Sequence, residues 1–527
     1  MKKWLILGII LIGFVLRLVS IDTHPVGFTP DEASFGYDAY SLLKTGKDQW
    51  GESFPLVFRS FGDFKLPLYT YLTMPSVAAF GLSVFAVRLP NAILGSLAIV
   101  VVYLLSRRLF GTKVGLMSSF LLAVSPWHIA LSRGAFEANL TTFFLPTGIL
   151  LFSKGLKDAK YLALSGLIFG LNMFTYHTAR ILTPLIVLYL IIRNWTTIKG
   201  KVVSFLVVFG VFLLGAAYFY IVGGSRLSSS GIFDLPFGDG RYLAQFVGEP
   251  SLIAKILYNR PVFVVDQFLK SYLSYFSPQF LFTQGAGEGT YGMVPGFGVV
   301  YLIEFIFLAG FVVKTVRERS VNLGFLIFWI LISPIPAALT KGPGYAANRV
   351  AFMMPALQIA SAVGAIYISK KYLLKISVAI LFVSLFLFIE KYIVVEKVSQ
   401  APAMLYGRSE AVDYAVQNES QYKKIIVSRS LSEPQIYVAF FGKIDPAVYQ
   451  IESQNWLRYE TVGLSFVDQL GEYRLGKYVF SDVNYQSRLK EKETLIIGKP
   501  DEFPEKVDAV KTIYYPSGAE AIKIIKI

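Results

Sequence analysis

The chain alternates long apolar runs with short polar gaps. Runs near the ~20 residues that cross a bilayer core recur at about 4–21, 89–106, 114–131, 138–153, 160–176, 179–193, 202–222, 296–313, 321–339, 350–369 and 376–395. The pattern predicts an α-helical polytopic membrane protein with ~11 transmembrane helices. The gaps predict its orientation. Lys2/Lys3, Arg107/Arg108/Lys113, Lys154/Lys157/Lys160, Arg193/Lys199/Lys201, Lys314/Arg317/Arg319 and Lys370/Lys371/Lys375 fall in every second gap, and basic residues collect on the cytoplasmic side of a membrane. The N-terminus is therefore expected in the cytoplasm and, with an odd number of spans, the C-terminus outside. Segment 67–86 is apolar too, but as a span it would carry Arg107 and Arg108 to the outer face. Pro67, Pro75 and Gly81 interrupt it, so it is expected to lie in the outer interface.

Three outer stretches are long. The first, 22–88, mixes acids and bases. The second, 223–295, contains an aromatic, amphipathic part from Val262 to Phe282, suited to a helix in the headgroup layer, and a Gly-rich turn over 285–289. The third is the tail from 396 to 527, where charges of both signs are interspersed. Its strand-like runs are Lys424–Val427, Tyr478–Phe480, Thr494–Ile497, Ile513–Tyr515 and Ala521–Ile527, with Pro516-Ser517-Gly518 turning the last two into a hairpin. Leu405–Val416 and Gln435–Phe441 read as helices. The expected organisation is a transmembrane domain over 1–395 and a small extracytoplasmic α/β domain over 396–527.

Composition agrees with the pattern. Of 527 residues 54% are hydrophobic and 16% charged, against roughly a quarter charged in soluble domains, and the mean hydropathy is +0.55. The net charge of +15 is dispersed between apolar runs, which argues against nucleic acid as a partner. There is no cysteine, so thiol catalysis, thiolate metal sites and disulfides are excluded. Met1-Lys2-Lys3-Trp4 followed by Leu5–Val19 has a signal-like positive flank without a small-residue cleavage site, and reads as a retained first span.

Chemistry-bearing residues gather at the outer edge. Thr29-Pro30-Asp31-Glu32 opens a helix as a cap would, yet two adjacent carboxylates repel, which can poise one as a base. Lys65 suits either a snorkelling anchor or a lipid-phosphate ligand. Arg349 lies at an outer membrane edge, where the charge bias gives no reason for a cation. Glu137 at the start of an apolar run needs a task or a partner, and Arg133 is the nearest one. Tyr176-His177-Thr178-Ala179-Arg180 forms another outer corner. With three histidines in the chain, no zinc set is evident. No phosphate-binding glycine loop is present.

In this order and spacing the motifs resemble the GT-C superfamily of polytopic glycosyltransferases. The likeness is to family 39 and bacterial Rgt-type enzymes, a PMT-like group that includes protein O-mannosyltransferases and the lipid A aminoarabinose transferase. Three pieces carry it: Thr29-Pro30-Asp31-Glu32 with Tyr37; Lys65-Leu66-Pro67-Leu68-Tyr69; and Phe85-Ala86-Val87-Arg88-Leu89-Pro90 with Arg107-Arg108-Leu109-Phe110-Gly111. Leu66 departs from the family's proline. Phe64 stands where the family has an acid before the lysine, Asp63 being one step back. The resemblance implies a GT-C fold and an inverting transfer from a polyprenyl-phosphate-linked sugar donor to a hydroxyl of a protein, lipid or polysaccharide acceptor. It casts Asp31 as general base, with Glu32 and Glu137 beside it, and Lys65, Arg349, Arg133, Asp63 and Tyr37 in binding of lipid phosphate and sugar. Membrane lipid is a further partner. No cofactor is demanded, and a divalent metal is left open. A polytopic transporter or lipid-linked sugar flippase is the alternative; it would more often show paired halves and mid-span charges.

Overall fold

The computed structural model describes residues 2–223, 231–235, 252–257, 259–287, 289, 294–342, 345–368 and 371–527. Each apolar run carries a helix. The first ten helices of the membrane part are α1 (Lys2–Leu18), α2 (Pro30–Thr45), α3 (Leu68–Phe80), α4 (Val84–Phe110), α5 (Thr112–Val124), α6 (Pro126–Arg133), α7 (Thr141–Gly155), α8 (Ala159–Met173), α9 (His177–Ile198) and α10 (Val203–Gly223). Among the described residues six helices are long and apolar enough to cross a membrane: Val84–Phe110, His177–Ile198, Val203–Val222, Val321–Ala338, Ala351–Ile368 and Tyr372–Ser399. The pair α5 and α6, bent by 55°, passes the same test jointly and makes a seventh where the two count as one broken span. The expected eleven are not reached by length, because α1 has 17 residues and α7, α8 and the helix Glu304–Glu318 have 15 each. The long outer stretch 223–295 lies partly outside the described residues, and so does the Gly-rich turn at 285–289. Arg260–Ser274 within that stretch is helical.

Local chemistry explains the breaks. Pro126 at the first position of α6 cannot continue α5, and Ser125 accepts the His128 N–H at 3.3 Å as a cap. At the break the Leu122 carbonyl accepts the Ser125 N–H at 3.4 Å, and Pro126 has no N–H to offer it. Arg17, fully buried on α1, donates to the carbonyls of Leu122 and Ala123 at 2.9 and 3.0 Å. Arg133 does the same for α1, donating to the carbonyls of Leu16 and Val19 at 2.8 Å each and of Ser20 at 3.2 Å. α3 has 13 residues with Pro75 inside and packs between α2 and α4, too short to span.

The C-terminal region forms a six-stranded sheet of order β4-β5-β3-β6-β8-β7. Its strands are β3 (Lys424–Ser428), β4 (Glu472–Leu475), β5 (Tyr478–Ser481), β6 (Thr494–Gly498), β7 (Lys511–Tyr514) and β8 (Glu520–Lys526). A two-residue pair, β1 (Phe58–Arg59) with β2 (Phe64–Lys65), lies in the first outer stretch. β3 runs parallel to β5 and β6, and β7 and β8 form the expected antiparallel hairpin. Helices Arg408–Gln417 and Pro434–Phe441 sit where the sequence places them, while Pro446–Trp456 and the edge strand β4 were not expected.

This α/β unit is bolted to the first outer stretch. Tyr437 donates to the Phe28 carbonyl at 2.7 Å and Tyr37 to the Ile444 carbonyl at 2.9 Å. Gln450 donates to Ser41, Thr45 and the Asp48 carbonyl. α2 and the helix Pro434–Phe441 meet closely because residue 36 is glycine: a methyl there would collide with Val87 and Phe440.

Candidate active site

The start of α2 sets the geometry. Thr29 accepts the Glu32 N–H at 3.3 Å while Glu32 accepts the Thr29 N–H at 3.0 Å, and Pro30 fills the first helical position. The two neighbouring carboxylates then point to opposite environments. Glu32 is fully buried. Its oxygens accept from Arg88 Nε at 2.8 Å and Nη2 at 3.2 Å, and from the Ala135 N–H at 2.9 Å. It ties α2, α4 and the 134–137 loop together and lines neither of the two cavities that hold Asp31, Lys65 and Arg349.

Asp31 faces outward, its side chain 69% exposed, and pairs with Lys65 Nζ at 3.0 Å. Lys65 is the buried partner. β2 carries it, and its ammonium lies 4.8 Å from the centre of the Phe35 ring and 5.7 Å from that of Phe61. A pair so open on one side contributes under about 1 kcal/mol to stability, so the two rings, more than Asp31, hold the lysine in this position.

Asp31 and Lys65 line a cavity of about 210 Å³ together with Glu137, Phe64, His177 and Asn348. Glu137 opens a short 3-10 turn, Glu137–Leu140. Burial and the charge of Asp31 push its carboxyl up to about 7, against a weaker pull from Lys65. The site therefore contains an open carboxylate, a neighbouring ammonium and a second carboxyl that takes up or releases a proton near neutrality. This set can accept a proton and hold an anion.

A second cavity of about 820 Å³ adjoins the first and shares Phe64, Tyr176, His177 and Asn348 with it. Arg349 and Arg180 line it, as do Asp63 and the α/β-unit residues Tyr459, Glu460 and Ser465. Arg349 donates to Thr340 Oγ1 at 2.7 Å and to the Lys341 carbonyl at 2.8 Å. Asp63 accepts the Phe64 N–H at 2.7 Å. Arg180 stacks on Phe219, 4.1 Å from the ring centre, and its Nη2 touches the His177 ring.

The structure thus brings Asp31, Lys65 and Glu137 together, with Arg349 and Asp63 in the adjoining cavity. Arg133 and Tyr37 lie elsewhere: Arg133 caps α1, forming no ion pair with Glu137 among the described residues, and Tyr37 docks the α/β unit. His177, Arg180 and Asn348 were not singled out as site residues. The outer corner Tyr176–Arg180 is the sequence signal for His177 and Arg180, and Asn348 has only its place beside Arg349. Among the described residues no group of three or more His, Asp or Glu side chains comes together to hold a metal.

Comparison with known proteins bears on the family and the fold. Residues 65–220 match the family model described as dolichyl-phosphate-mannose-protein mannosyltransferase; Lys65, Arg133 and Glu137 fall within the match. YkcB of Bacillus subtilis, whose name assigns it provisionally to the mannosyltransferases, is 31% identical over 144 residues, covering 27% of this chain and 20% of YkcB. The undecaprenyl phosphate-alpha-4-amino-4-deoxy-L-arabinose arabinosyl transferase 1 of Pseudomonas fluorescens is 32% identical over 145 residues, 27% of this chain and 25% of that protein. The matched part spans only a fifth to a quarter of either relative. In fold, ArnT from Cupriavidus metallidurans aligns over 99% of this chain and 98% of its own at 12% identity, with a TM-score of 0.56; its complex with undecaprenyl phosphate gives 0.54. The chain resembles the PMT-like glycosyltransferases of the GT-C superfamily, in sequence over residues 65–220 and in fold over nearly its whole length.

Proposed function

We propose that this protein transfers a sugar from a polyprenyl-phosphate donor to an acceptor hydroxyl at the outer face of the cell membrane. The observation that carries the reading is the Asp31–Lys65 pair at 3.0 Å, one partner open and the other buried, on the wall of a cavity that also holds Glu137. The donor class rests on the relatives, one named for an undecaprenyl-phosphate sugar and one solved with undecaprenyl phosphate bound.

In this reading Asp31 accepts the proton of the acceptor hydroxyl as its oxygen bonds to the anomeric carbon. The bond from that carbon to the phosphate oxygen breaks, and its electron pair leaves with the polyprenyl phosphate. Lys65 and, from the adjoining cavity, Arg349 stabilise the departing phosphate. Glu137 frames the acceptor side. One base and a single displacement give inversion at the anomeric carbon. The same reading sets the N-terminus in the cytoplasm, residues 1–395 as the membrane domain with eleven spans, and 396–527 outside.

The test is transfer of label from a radioactive polyprenyl-phosphate hexose to membrane-extract acceptors, with wild type beside Asp31→Asn. Transfer by wild type alone supports the enzyme and its base. Full transfer by Asp31→Asn removes Asp31 from that role. Donor that binds both proteins and is never turned over, across a panel of sugars, favours a lipid-linked sugar flippase.

A further inference from the structure

The corner Tyr176–Arg180 starts α9 and lies on the larger cavity, which Tyr176, His177, Thr178 and Arg180 all line. Tyr176, the residue before the helix, supplies no side-chain cap, and the helix that follows has 22 residues. A helix start without a cap presents N–H groups and the positive end of the helix dipole, which favours a negative charge beside it.

Arg180 adds a full charge at the same place. It is 9% exposed. Its Nη2 donates to Nδ1 of His177, and its guanidinium lies 4.1 Å from the centre of the Phe219 ring and 5.0 Å from that of Tyr220. Nε and Nη1 have no hydrogen-bond partner among the described residues. His177 accepts as a neutral ring, so it does not balance the charge. A cation buried in this way without a carboxylate is costly. Ring stacking offsets part of that cost, and an anion in the cavity would offset more. Arg349, on the same wall, differs: its Nη1 is taken by Thr340 Oγ1 and the Lys341 carbonyl.

We propose, on the basis of the transfer reading above, that Arg180 and the start of α9 hold the phosphate of the polyprenyl-phosphate donor, through Nε and Nη1 of the guanidinium and the first amides of the helix. A phosphate monoester offers up to two charges and three acceptor oxygens, enough for a guanidinium and a helix start together. The wall favours a phosphate carried on a lipid over a free one. Ile181 and Tyr220 line the same cavity, are exposed, and belong to α9 and α10, two of the helices long and apolar enough to span. The cavity therefore borders the lipid-facing surface, where a hydrocarbon tail can lie while its phosphate reaches Arg180. Phe64, Tyr176, His177 and Asn348 line both cavities, so this anion site adjoins the chamber of Asp31 and Lys65.

The experiment compares binding of undecaprenyl phosphate and of undecaprenol, which lacks the phosphate, to the purified full chain in detergent. Wild type is expected to prefer the phosphate. Arg180→Met, which keeps an apolar stem against Phe219 and Tyr220, should lose roughly ten- to a hundredfold of that preference, the worth of a charged hydrogen bond, while binding undecaprenol as wild type does. Arg180→Gln should show the same loss and serves if the methionine variant does not fold. A preference equal to wild type in either variant overturns the proposal. So does equal weakening of both ligands, which a role in stacking alone predicts, and so does a wild type that binds both ligands equally. Label transfer on the same samples separates the two readings. Wild type that transfers sugar while the Arg180 variants keep the preference overturns the Arg180 site alone. Lost preference in the variants, with a wild type that turns over no donor across a panel of sugars, supports the lipid-phosphate site and overturns the transfer.

Discussion

Asp31 and Glu32 are adjacent in the chain, and the structure predicts opposite consequences for losing them. Glu32→Gln removes one charge of an ion pair in which both side chains are fully buried, with Nε to Oε1 at 2.8 Å. Removing one partner of such a pair costs about 3–5 kcal/mol, because the other charge stays buried. Glutamine keeps one acceptor oxygen for the Ala135 or Thr29 N–H, which puts the expectation at the lower end, about 3 kcal/mol. That is a large share of the roughly 5–15 kcal/mol that holds most folded chains together. Asp31→Asn touches a pair whose carboxylate is 69% exposed, so its cost to stability should stay under about 1 kcal/mol. The assay is unfolding followed by intrinsic fluorescence in one detergent, with label transfer measured on the same samples. Glu32→Gln should unfold early and lose transfer in proportion to the folded protein lost. Asp31→Asn should unfold like wild type and transfer nothing. The double variant Glu32→Gln/Arg88→Met should recover only part of the stability, because Arg88 also donates to the carbonyls of Ile21, Pro25 and Gly27. A Glu32→Gln protein that is fully stable yet inactive would refute the reasoning and return Glu32 to the chemistry.

Other outcomes follow from the same geometry. Glu137 is raised to about 7 by burial and by Asp31, so the stability its neutral form contributes is complete below the usual glutamate range and lost as pH climbs through about 7; Glu137→Gln should flatten that part of a stability–pH curve, and an unchanged curve would count against the assignment. Arg349→Ala should lower kcat/KM by the 1.5–3 kcal/mol typical of a charged hydrogen bond, roughly ten- to a hundredfold, with kcat falling as well because the charge Arg349 meets develops on the departing phosphate. Gly36→Ala would press a methyl into Val87 and Phe440, an overpacking worth about 1–3 kcal/mol; protease cleavage between the membrane part and the α/β unit should speed up, and wild-type resistance would show that the contact yields without cost.

Much of the fold was legible because it is written in local periods. Apolar runs mark the helices, and β-branched runs such as Lys424–Val427 and Thr494–Ile497 mark central strands with both faces covered. The edge strand Glu472–Leu475 was not, since its alternation of charged and apolar residues over four positions is too short to stand out. Within the site, the local sequence does not separate Asp31 from Glu32, and only the family resemblance singles out Asp31 as the base. What separates them is Arg88, 56 residues further on, together with the Ala135 amide, and no local pattern encodes which carboxylate those groups take. Arg133 beside Glu137 looked like a salt bridge in the chain, but the guanidinium turns to the carbonyls left open at the end of α1. Arg180 and His177 carried only the signal of an outer corner.

The docking of the α/β unit has a consequence for how the protein comes into being. Tyr459, Glu460 and Ser465 wall the larger cavity, and the helix Pro434–Phe441 rests on α2, yet these residues leave the ribosome roughly 400 positions after Asp31. A chain under synthesis therefore holds its inserted helices and both members of the Asp31–Lys65 pair for most of its translation with the chamber unroofed. The larger cavity is walled only once the α/β unit has been made, and under the proposed transfer a half-made copy cannot close on a sugar donor before it can finish the task.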